Sequence, residues 1–154
     1  MSIAPRGVFA AFIIAPAFAA LLCVLGMMIH FVTSDPAGAA MPVGELLPMA
    51  AAIWMSALMF AYPAALGFVV VWFAFTAMRL GAAGALLGGA IAGFASVTVY
   101  LDRIHEGGFM QGLTGGEDFG AMTLGQLTAA LVLPLIGAAS GALGGLVFNM
   151  FARR

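Results

Sequence analysis

The chain contains no lysine, and only 7% of its 154 residues are charged. Soluble domains run near 25% charged, so a water-soluble fold of this length lacks the polar side chains to cover its surface. A net charge of -1 excludes the basic patch that a nucleic-acid partner needs. One cysteine, Cys23, excludes an intrachain disulfide framework. Two histidines, His30 and His105, leave little material for acid–base or metal chemistry. What fills the space is apolar: 64% of the residues are hydrophobic and 21 are glycine. The natural solvent for such a chain is a lipid bilayer.

Four apolar runs predict four spans within a single membrane domain, residues 1–154: 8–32, 46–78, 82–101 and 124–151. The first run, about 25 residues, exceeds the 7–15 of a signal-peptide core and reads as a membrane span. The second, about 33 residues, would measure about 50 Å as a helix, against a hydrocarbon core of about 30 Å. No polar turn divides it. Pro63 and Gly67 bend a helix in lipid more readily than they end it, so one tilted, kinked helix is expected, with break at Pro63 as the alternative. Asp35-Pro36 reads as a turn after the first span. Thr123 to Gln126, "TLGQ", is a capping box opening the fourth.

Charge assigns the sides. With four spans, Arg6, Arg79, Arg153 and Arg154 share one face, and only Arg103 lies on the other. All six acids, Asp35, Glu45, Asp102, Glu106, Glu117 and Asp118, fall opposite that cluster. Arginines near span ends mark the cytoplasmic side. Both termini are therefore expected in the cytoplasm of a bacterial inner membrane, with the connections 33–45 and 102–123 outside.

Glycine is a poor helix former in water, about 1 kcal/mol worse than alanine, yet it crowds the third and fourth spans. In lipid, apolar side chains gain little by meeting each other, and small residues let helices approach closely. Gly84/Gly88 and Gly89/Gly93 in "GALLGGAIAGF" are spaced four apart, as are Gly137/Gly141/Gly145 in "GAASGALGG". Each set shares a helix face. The prediction is an all-α four-helix membrane bundle in which the third and fourth spans pack by GxxxG-type contact, tight toward the end bearing the termini.

Candidate chemistry is sparse. If the third span's helix continues, Asp102, His105 and Glu106 share one face, a carboxylate–imidazole set suited to zinc, nickel or copper. A wetted, locally paired loop explains the same residues. His30 and His105, both at the outer interface, are the candidates for ligating a haem or forming a proton-sensitive pair. Ser140 lies about 24 Å below the surface that carries both histidines, which separates it from any base. Met27, Met28, Met49, Met55 and Met59 read as packing filler rather than copper(I) ligands. Trp54, Tyr62, Trp72 and Tyr100 read as apolar fillers or interface anchors, and Asn149 as an interhelical hydrogen-bonder. Thr76, Ser96 and Thr98 are expected to bond to their own helix backbones or across helices.

No acid or arginine lies mid-span, where transporters and proton relays carry one. The functional expectation is a non-enzymatic accessory or assembly subunit. Its partners would be the bilayer and other transmembrane helices, in a homo- or hetero-oligomer, and it would need no cofactor. A small oligomeric transporter or channel is the alternative, and a haem- or metal-binding subunit the third reading.

Overall fold

The structure, a computed structural model, describes residues 5–34, 36–104 and 124–153. The described elements are all helical: α1 (Pro5–Ser34), α2 (Pro36–Ala40), α3 (Val43–Ala77), α4 (Gly81–Ile104) and α5 (Leu124–Ala152). Four of them, α1, α3, α4 and α5, are long and apolar enough to cross a membrane. The connection expected at 33–45 is not wholly loop, because α2 folds back so that Gly38 meets the carbonyl and ring of Phe31. A side chain at 38 would collide with both.

The long region 46–78 is one continuous helix, starting slightly earlier at Val43 and holding Pro48 and Pro63 within it. Its end is a Schellman motif. The Leu80 N–H donates to the Phe75 carbonyl and the Arg79 N–H to the Thr76 carbonyl, both at 3.0 Å. The residue in the left-handed position is Arg79, at φ +61°, where glycine is usual. Gly81 follows at φ +56°, and the chain reverses into α4 at once. α4 runs to Ile104, past the expected end at 101, so Asp102 and Arg103 belong to its last turn.

The long helices form a ring in the order α1, α3, α4, α5, each packing on its two neighbours in an up-down-up-down arrangement. The α4–α5 contact is the most extensive. Both chain ends lie at one end of the bundle, where a Cβ at Gly7 would strike the Phe151 carbonyl. Arg6, Arg79 and Arg153 share that end, while Glu45, Asp102 and Arg103 lie at the other.

Two apolar clusters fill the bundle. At the termini end, Ala11, Ala15, Phe68, Trp72, Ala85, Phe148 and Ala152 bury together. Trp72 and Phe148 are each 1% exposed and meet edge to face at 5.1 Å. At the other end Cys23, Val97 and Leu101 form a smaller cluster with Met27, Tyr100, Leu133 and Ile136 around them.

Candidate functional site

The glycines sort by what surrounds them. A Cβ at Gly89 would sit on the Gly141 carbonyl oxygen, and one at Gly141 on the Gly89 carbonyl oxygen. Gly93 and Gly137 face each other in the same reciprocal way, and Gly145 faces the carbonyl of Ala85. Each step of four along α4 matches a step of four back along α5, which is the register of an antiparallel pair touching backbone to backbone. The glycine Cα–H groups therefore point at carbonyl oxygens across the seam, a weak hydrogen bond that recurs at helix–helix interfaces.

Gly84 and Gly88 belong to a different contact. They receive side chains of α3: Phe75 against Gly84, Phe68 and Val71 against Gly88. Gly144 meets Ala15 and Ala19 of α1. The small residues thus serve three interfaces, and α4–α5 is the closest of them.

α3 is held differently. Only 11% of its most apolar stretch is buried, against 39% for α5. Its contacts with α1 include two long polar side chains. The Trp54 indole Nε1–H donates to the Ala17 carbonyl at 3.3 Å, and the Tyr62 hydroxyl donates to the Ile13 carbonyl at 3.1 Å. Both carbonyls lie within one turn of Pro16, whose missing N–H leaves the Phe12 carbonyl without its helical donor. Lower down, the Trp72 Nε1–H donates to Asn149 Oδ1 at 3.3 Å, tying α3 to α5. Trp54, Tyr62 and Trp72 are therefore hydrogen-bonding ties and not only filler or interface anchors, which corrects the sequence-based reading. An N–H or O–H in lipid must find an acceptor, and the neighbouring helix supplies one.

A cavity of about 100 Å³ lies between α3 and the other three helices. It exists because small residues face small residues. Ala57, Ala61 and Ala64 of α3 and Ala19, Gly93 and Gly141 of the other helices all line it. The lining runs from Ile53 to Phe68 along α3, about 22 Å at helical rise, and from Gly89 to Tyr100 along α4, about 16 Å. Phe68 and Phe148, edge to face at 5.2 Å, close the termini end. The Phe60 and Tyr100 rings, 5.4 Å apart, form a wall toward the other end.

Polar groups on this wall are few. The Ser140 hydroxyl donates to the Gly137 carbonyl at 3.0 Å, and the Cys23 thiol lies within hydrogen-bonding reach of Ser140. Ser140 is thus engaged with its own helix and with a thiol, far from His30, whose Nδ1 is 3.1 Å from the Ser34 hydroxyl. Thr98 donates to the Phe94 carbonyl as expected, whereas the buried Thr76 hydroxyl finds no partner among the described residues.

Of the candidate metal set, Asp102 lies in the last turn of α4, half-buried. His105 and Glu106, with Glu117 and Asp118, lie outside the described residues, as does Thr123 of the capping box. Among the described residues no cluster of three or more His, Cys, Asp or Glu side chains is placed to hold a metal. Compared with known protein families, with curated proteins and with solved structures, the chain matches none.

Proposed function

We propose that this protein is an accessory or assembly subunit of a bacterial inner membrane, non-enzymatic, with both termini in the cytoplasm. The small-residue rows of α4 and α5 act as a GxxxG-type seam that makes the bundle a stable platform, and α3 presents its outer face to the helices of a partner. The observation that carries this reading is the uncovered side of α3. Ser56, Met59, Pro63, Gly67, Val70 and Ala74 recur at helical spacing and are all exposed, Met59 at 77%. A Cβ at Gly67 would meet nothing within 4 Å. Small residues repeated on a lipid-facing stripe are what a second helix needs for close approach. The arginine distribution supports the orientation.

The test is photo-crosslinking in intact membranes, with the reactive residue at Met59, Leu66 or Val70 of α3 and controls at Phe9 of α1 and Ile91 of α4. A discrete protein adduct from the α3 positions alone supports the reading. Lipid adducts alone at every α3 position would remove it. Orientation is checked separately with a Cys23→Ala background carrying Leu80→Cys or Ser34→Cys. A membrane-impermeant thiol reagent added to cells with a permeable outer membrane should label position 34 and not position 80.

A further inference from the structure

We propose that the cavity between α3 and the other helices is a binding slot for one hydrocarbon chain of a membrane lipid, its tail resting on the Phe68–Phe148 pair and its polar end directed toward Tyr100. Three features point to this occupant. The first is chemistry. Beyond Cys23, Ser96, Tyr100 and Ser140 the lining offers only apolar side chains and glycine, and the Ser140 hydroxyl is already donated to Gly137. A bound water needs two to four polar partners, and the surface that the slot exposes is almost wholly apolar. The slot is open along part of its surface, and wall atoms facing empty space forfeit their dispersion contacts.

The second feature is shape. The lining is drawn out over about 16 Å or more of helix, an elongated form that matches a linear chain and not a fused ring system. The third is asymmetry. An aromatic pair stands toward each end, but Phe68 and Phe148 carry no polar atom whereas Tyr100 carries a hydroxyl, a group suited to the interface where a lipid's polar part sits. The surrounding medium supplies such chains at high concentration. This inference stands apart from the partner on α3's outer face, since the slot lies on the opposite, inward side of that helix.

Tryptophan quenching tests it. The chain has two tryptophans, and Trp72 stacks on Phe148 beneath the closed end, 1% exposed and shielded from bulk lipid. In a Trp54→Phe background, Trp72 is the sole reporter. The protein is reconstituted into phosphatidylcholine vesicles whose acyl chains are brominated either near the tail or near the headgroup. A parallel sample in unbrominated vesicles receives a tail-brominated free fatty acid. Tail-brominated chains should quench Trp72 more strongly than head-brominated ones, and quenching should be lost when Ala61→Leu or, independently, Ala57→Leu fills the slot. Quenching by the phospholipid assigns the chain to the bilayer; quenching by the free acid alone assigns it to a soluble amphiphile, with the same slot chemistry. Absence of quenching from both sources, or quenching unchanged in slot-filled variants that remain monodisperse, would overturn the proposal.

Discussion

Gly93 and Gly67 are both glycines in the middle of apolar helices, and a methyl group added to each meets opposite surroundings. At Gly93 it collides with the backbone of α5; at Gly67 it finds open space. A neighbouring side chain can rotate away from a new methyl, but a backbone carbonyl can move only if a whole helix moves. The difference divides the bundle into two regimes. α4 and α5 are joined backbone to backbone, at a distance that only glycine permits. α3 is held by Phe68 and Trp72 at one end and by a few long hydrogen-bonding side chains elsewhere, with a cavity behind it. Close contact in lipid is the main source of helix association, so the first regime should dominate stability.

Substitutions test that contrast, each measured by unfolding in one common detergent. Gly93→Val should cost the most, about 3 kcal/mol, because overpacking against backbone cannot be relieved by a rotamer change. If Gly93→Val unfolds like the parent, the seam is not load-carrying and the division fails. Asn149→Leu should cost about 1–2 kcal/mol. It removes the acceptor of the buried Trp72 N–H, and Asn149→Gln should recover part of the loss.

Arg79→Gly should change stability in the other direction. Glycine takes the left-handed position without the cost of about 1–2 kcal/mol that other residues bear there, so unfolding should shift up by about 1 kcal/mol. Tyr62→Phe, which deletes a single hydroxyl tie to α1, should cost about 0.6 kcal/mol, the mean for interhelical hydrogen bonds in membranes. Gly67→Ala should be the mildest, neutral or stabilising by no more than about 1 kcal/mol. A Gly67→Ala loss equal to that of Gly93→Ala would erase the distinction.

Much of this architecture was legible in the residues. Length and hydropathy of the runs located the four long helices, and the absence of any polar break across 46–78 made one continuous helix the better reading despite Pro63. The glycine spacing located small faces, because residues four apart must align on a helix. It did not say which neighbour each face meets. Gly88 and Gly89 are adjacent in sequence, yet they point about 100° apart and serve α3 and α5 respectively. The short α2 was missed because "PAGAA" carries turn formers and is too brief to show periodicity. The cavity could not be read at all. It arises from alanines on one helix facing glycines on others, and each of those residues, taken alone, signals close packing. The hydrogen-bonding roles of Trp54 and Tyr62 were hidden for a similar reason, since an aromatic ring in an apolar run looks the same whether its polar atom reaches a carbonyl or an interface.

The claim on which the account rests is that α4 and α5 form a rigid spine while α3 is a loosely held wall. Distance distributions between spin labels test it directly, in a Cys23→Ala background reconstituted into lipid. One pair, at Ala95 and Leu135, spans α4 and α5; the other, at Ile14 and Met59, spans α1 and α3, all four positions being exposed on the bundle surface. If α4 and α5 form a rigid spine and α3 a loosely held wall, the first pair gives a narrow distribution and the second a distinctly broader one. Equal widths, or a broader distribution across α4 and α5, would contradict it.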